Sequence, residues 1–222
     1  MTLTKEQIAT LFIFTEKKMV RWYDLQTELV DHLATAIEGK MSENPNCSFK
    51  DALAYVYAGF GIFGFAKIVQ MKEVQLRKEN KRLWHYFFKQ QLHWPNVVRS
   101  IFIASLIYLL QAVASSNVML VLNLICAVSL AVFSIAKHRK HSKYAKKLLF
   151  TQQTFGYNIF GFCYYEILFA LNFSFDDTTA GSWSHYFLGL ILFFGIINLL
   201  VCIAMYTAVE AKAKSMYPEV YA

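Results

Sequence analysis

The chain has 222 residues, 56% hydrophobic and 17% aromatic, with 22 Lys and Arg against 15 Asp and Glu for a net charge of +7. A basic balance suits nucleic acid or an anionic surface, but no nucleic-acid recognition motif occurs, and the cations flank apolar blocks, which points to anionic lipid headgroups instead. Cys47, Cys126, Cys163 and Cys202 form no CxxC pair and no regular framework, which excludes a disulfide scaffold and leaves free apolar thiols.

The N-terminal part reads as helices. Met1 to Thr10 is polar and Leu11 to Phe14 is too short for the apolar core of a signal peptide, so the first span itself is expected to drive insertion. Ile8, Leu11, Phe12 and Thr15 predict a helix over Thr4–Val20. Trp22, Leu25, Leu29, Leu33, Ile37 and Met41 form one stripe and predict a second over Trp22–Met41, which Asn44, Pro45 and Asn46 end. Ser48 followed by Asp51 resembles a capping box opening a third helix, whose apolar face is Ala52, Leu53, Val56 and Tyr57. The cluster Gly59, Gly61 and Gly64 predicts a tight turn, and a fourth helix is expected from about Ile62 to Leu92. Between Lys72 and Arg82 only Val74 and Leu76 are apolar, so this stretch is expected to be a solvated rod joining domain to membrane. Trp84, Tyr86, Phe87, Phe88, Leu92 and Trp94, interspersed with Lys89, have the character of a headgroup-level segment, and Pro95 suits the first turn of the helix that follows.

Beyond this point the apolar blocks dominate. A spanning helix needs about 20 mainly apolar residues, with roughly 17 as the lower limit. Four spans are predicted, at 97–114, 118–136, 150–173 and 186–209. From Ser100 to Ala136 there is no Lys, Arg, Asp, Glu or His. Ser115, Ser116 and Asn117 form the first outer turn, and Lys137, Arg139, Lys140, Lys143, Lys146 and Lys147 form an inner loop. Asp176 to Ser184 is an acidic outer loop, and a tail with Lys212 and Lys214 returns inside. Drawn this way, all 22 basic residues fall on one side, which predicts both termini in the cytoplasm. The inner-loop cations Lys137, Arg139, Lys140, Lys143, Lys146 and Lys147, with Trp84 and Trp94, are the expected lipid-headgroup contacts.

Within the spans Glu166 stands out, because an ionisable group there costs about 2.5–3.5 kcal/mol on insertion scales and tends to face the bundle interior. It is expected about 10 Å below the outer end of its helix. Asn123, Gln111 and Tyr108 approach a similar depth, so the four define a candidate intramembrane polar cluster. It serves either as a proton, cation or partner site, or as hydrogen-bonded packing between helices. Glu28 and His32, four apart beside Asp31, supply too few ligands for a metal and read as a surface or packing pair. His138 and His141 lie among six cations that repel a metal ion. No phosphate-binding loop, HExxH, GxSxG or dinucleotide fingerprint occurs, and no catalytic residue, metal or cofactor is expected.

The segment Asp24-Leu25-Gln26-Thr27-Glu28-Leu29-Val30-Asp31-His32-Leu33 resembles the second-helix signature of HAAS, or permease-prefix, domains. Ser48, Asp51, the Ala52-Leu53 pair and Phe60-Gly61 fill the positions of that family's Ser-led helix and glycine-marked turn. The resemblance covers about Thr4 to Val69, with Glu28, Leu29, Asp31, His32, Ser48, Asp51 and Gly61 as its signature residues, and extends to bacterial membrane proteins that join such a domain to four spans. It implies an all-helical cytosolic domain over 1–70, a bacterial inner-membrane location, and a signalling or assembly role without a catalytic residue. The long polar helix and the aromatics before Pro95 depart from it.

The resulting expectation is an all-α chain: a small cytosolic helical domain over 1–70, a connecting and interfacial helix over 71–95, a membrane bundle over 96–209 and a tail over 210–222. Its expected role is a non-catalytic membrane protein whose domain recruits or senses a partner. The alternative is a small transporter or channel subunit using Glu166, with a membrane enzyme third. Expected partners are the bilayer and a protein of the membrane or cytoplasm, a second copy included; nucleic acid is not among them.

Overall fold

The structure, a computed structural model, describes residues 2–142, 146–154 and 183–221. Its helices are α1 (Lys5–Lys17), α2 (Tyr23–Glu43), α3 (Phe49–Ala58), α4 (Ala66–Gln91), α5 (Asn96–Val113), α6 (Ser116–Ser142), α7 (described over 149–154), α8 (Trp183–Met216) and α9 (Pro218–Tyr221). The described residues are all-helical, without strands. The chain divides into two compact units. The first is Met1–Leu76 with Tyr144–Phe150, and the second is Arg77–Lys143 with Thr151–Ala222.

Unit 1 is held by the stripe on α2. Leu25, Leu29, Leu33 and Ile37 are buried with Leu11 and Thr15 of α1, Val20, Ala52 of α3 and Phe65. Trp22 and Met41, the ends of the predicted stripe, are partly buried at the rim. Removing a Leu from such a core costs about 2–5 kcal/mol, so this one stripe accounts for a large share of the unit's stability. The starts of α1 and α3 are capped by side chains. Thr4 accepts from the Gln7 N–H at 3.3 Å while Gln7 Oε1 accepts from the Thr4 N–H at 2.8 Å. Ser48 Oγ accepts from the Asp51 N–H at 3.2 Å and donates to Asp51 Oδ2 at 2.6 Å.

Two turns need a left-handed backbone. Met19, between α1 and α2, has φ of 69°. Gly61 and Gly64 have φ of 71° and 49°, which delays the start of α4 to Ala66 rather than the expected Ile62. A Cβ at Gly64 would also meet the Tyr57 hydroxyl at 2.5 Å. The glycines therefore let Phe65 turn inward, where its ring meets Phe60 at 4.9 Å and Tyr57 at 5.2 Å. Ile62 and Phe63, between them, stay 100% and 77% exposed.

Among its described residues unit 2 has three helices long and apolar enough to cross a membrane: Asn96–Val113, Asn117–His141 and Tyr186–Met216. The expected span over 150–173 lies almost wholly outside the described residues; only its start, to 154, is seen, and it is helical. α6 and α8 run parallel, since Asn123 near the start of α6 bonds Leu188 near the start of α8, and Lys137 bonds Glu210 near their ends. Ile107, Met119, Leu188 and Leu192 pack at one level. Leu130, Cys202, Met205 and Tyr206 pack at another, with Trp84 and Phe87 of α4 against them. Val118, Val121, Ile125, Val128, Val132 and Ile135 form an exposed apolar stripe on α6, as a lipid-facing surface requires.

α4 differs from the solvated rod expected over Lys72–Arg82. Leu76 and Asn80 are buried, and Asn80 Oδ1 accepts from Thr154 Oγ1 at 2.9 Å.

Candidate functional site

The start of α2 grips the loop that leads from α6 to α7. Asp24 accepts from the Leu149 N–H at 2.9 Å and the Phe150 N–H at 3.2 Å, the free donors at the beginning of α7. A carboxylate there satisfies orphan N–H groups and faces the positive end of the helix. The Tyr23 N–H donates to the Lys147 carbonyl at 2.7 Å, and Lys146 Nζ lies 4.1 Å from the centre of the Tyr23 ring. Leu149 itself is buried in the unit 1 core. Burial raises the Asp24 carboxyl above its ordinary value, while the two loop N–H groups pull it back.

Beside this grip runs a cleft of about 470 Å³ lined by Ala9, Phe12, Ile13, Glu16, Arg21, Tyr23, Gln26 and Lys146. Its floor is aromatic, with the Phe12 and Tyr23 rings stacked at 6.0 Å. Its rim carries Arg21 and Lys146 against Glu16. An amphipathic segment with an apolar face and an acidic group matches that lining. Tyr23 and Lys146 belong to both the cleft and the grip, so an occupant of the cleft touches the residues that hold the loop.

A second polar constellation lies where α6 and α8 end. Glu210, 8% exposed, is bonded by Lys137 at 2.6 Å and Lys140 at 3.2 Å, with Lys214 at 3.5 Å. Nearby, His141 is buried beside Tyr221 of α9, whose hydroxyl lies 3.4 Å from Nδ1. The ion pairs tie the last turns of two parallel helices together, a junction the sequence reading did not include.

The expected polar cluster is brought together only in part. Asn123 is buried and donates to the Met119 carbonyl at 2.8 Å and the Leu188 carbonyl at 3.1 Å. Gln111 packs on the adjacent Gly189, so close that a Cβ there would overlap its amide. Tyr108 is exposed and does not join them. Glu166 lies outside the described residues.

Of the expected headgroup contacts, Trp94 is exposed, as are Arg139, Lys146 and Lys147. Trp84 differs: its indole N–H donates to buried Asn198 at 2.9 Å, and its ring stacks on Phe88 at 5.0 Å. Lys137 and Lys140 are engaged by Glu210, and Lys143 lies outside the described residues. Among the signature residues, Leu29 is core and Ser48 and Asp51 cap α3. Gly61 makes its turn, and Glu28 pairs with Lys72 at 2.6 Å. Asp31 and His32 are exposed. No group of three or more metal-ligating side chains occurs among the described residues.

No protein family, curated relative or solved structure matches the chain. What it can do is therefore read from its own geometry.

Proposed function

We propose that this chain is a non-catalytic integral membrane protein of four spans, the third over 150–173. Its N-terminal helical unit faces the cytoplasm and recruits or senses a protein partner. The observation carrying this reading is the Asp24 grip: the unit that would meet the partner also holds the start of α7, in the stretch that follows the apolar helix α6. Occupancy of the α1–α2 cleft would bear on Tyr23 and Lys146, and through them on the start of α7. That is the arrangement an assembly or sensing role needs, with binding on one side and a helix end on the other. It also supports one-sided topology, because the basic loop and the N-terminal unit share a core. The HAAS-like character of the unit, a bacterial inner-membrane location and cytoplasmic termini belong to the same proposal.

The test uses the full chain in its native membrane, with a photocrosslinking side chain in place of Ile13 or Gln26, both in the cleft wall. One protein adduct common to both positions, lost on Arg21→Glu, is expected. Failure of both positions to trap any protein would defeat the recruitment reading.

A further inference from the structure

We infer that the turn between α3 and α4 is a membrane-inserting wedge: Ile62 and Phe63 enter the headgroup layer of an anionic bilayer, with Lys17, Lys18 and Lys67 on its phosphates. This rests on the membrane part of the reading above and not on the cleft.

The geometry is specific to this turn. Ile62 is 100% exposed and Phe63 77%, consecutive apolar side chains at the tip of an otherwise well-packed unit. They are held out by construction rather than by poor packing. Left-handed Gly61 and Gly64 bracket them, while Phe60 and Phe65 on either side pack against each other at 4.9 Å. The tip is thus pinned from beneath by an aromatic cluster and is rigid enough to present two side chains outward. A flexible loop would lose much of that advantage to ordering.

The charge around the tip selects the occupant. Lys18 Nζ lies 4.5 Å from the centre of the Tyr57 ring, and the Tyr57 hydroxyl lies against Gly64. Lys18 therefore sits at the same end of the unit as the tip. Lys17 and the apolar Met19 flank it in sequence, both exposed. Lys67, also exposed, is on the first turn of α4. An apolar tip rimmed by lysines matches an interface of acyl chains beneath anionic headgroups. A protein groove would need an acidic rim of matching shape. The apolar helices of the same chain are long enough to hold it at a bilayer, so insertion of the tip is an intramolecular event and even a weak one is populated.

The test places a benzophenone side chain at Ile62 in the full chain, reconstituted in nanodiscs with about 30% phosphatidylglycerol. Ile62 touches no core residue, so the fold is retained. A second probe at exposed Thr35 on α2 gives the background. Lipid adducts at Ile62 are expected about tenfold above that background, falling several-fold in pure phosphatidylcholine or when Lys17, Lys18 and Lys67 are all changed to Gln. Lipid adducts no higher than at Thr35 would overturn the proposal. So would adducts formed mainly with a second copy, or, in native membranes, mainly with another protein. Cleft crosslinking from Ile13 reads protein adducts at another position, so its failure and failure of the wedge are separate results.

Discussion

Asp24 carries a burden its neighbours in the sequence do not disclose. Its carboxylate is partly buried against two N–H groups 125 and 126 residues away. Burial raises its pKa, so the fold favours the neutral acid. The associated stabilisation is fullest below the unfolded value and is lost as pH rises through the folded one. Asp24→Asn removes the titration and leaves one carbonyl for two donors. The stability difference, wild type minus Asn, should therefore shrink as pH rises above the ordinary aspartate value of about 4, read from urea midpoints of the full chain in detergent. A difference that grows over that range would refute the assignment. Glu210 gives a second residue-scale prediction. Glu210→Gln leaves Lys137 half-buried without its counter-charge and should destabilise the bundle by about 1–3 kcal/mol. Lys140→Met should change stability by less than about 0.5 kcal/mol, because its side chain is half exposed. Met19 offers the opposite sign. It is exposed and left-handed, so Met19→Gly should stabilise unit 1 by up to about 1 kcal/mol, seen as a raised thermal midpoint.

At the scale of elements, the segment Tyr144–Phe150 matters more than its length suggests. Residues 1–83 expressed alone retain the α2 stripe but lack Leu149 and the donors to Asp24. Joining residues 144–154 to that fragment by a Gly/Ser linker should raise its unfolding free energy by about 2–3 kcal/mol, and Asp24→Ala in the fusion should remove much of the gain. Equal melts for the two forms would show that the loop adds nothing. This is also where sequence reading reached its limit. Leu25, Leu29, Leu33 and Ile37 declare a buried face by local periodicity, and Ser48 declares its cap three residues away. The partners of Asp24 and Glu210 lie on other helices, and no local pattern carries a pairing across so many residues. Trp84 shows a different limit: aromatics mixed with cations mark a headgroup layer and a packed crossing equally well, and no local pattern discloses the Asn198 acceptor.

For the whole molecule, the long apolar runs were legible because length and the absence of charge suffice to identify a helix able to cross a bilayer. Their pairing was not: α6 and α8 are parallel and joined through Glu210, which the pattern of blocks leaves open. The proposed topology predicts that single cysteines at Asn117 and Thr179 react with an impermeant thiol reagent added outside intact cells, while one at Ser142 does not. Labelling at Ser142 alone would invert the arrangement.

The shared core of unit 1 also imposes an order of synthesis. Leu149 and the Asp24 ligands emerge from the ribosome about 70 residues after Leu76, a delay of several seconds at translation rates of about 5–20 residues per second. During that interval α1–α3 are complete but the place of Leu149 in their core is empty, while α5 and α6 are being made. The N-terminal unit therefore completes its core only after both of those helices have been synthesised. Until then the Leu149 side of that core stays uncovered, the kind of apolar surface that chaperones and proteases act on.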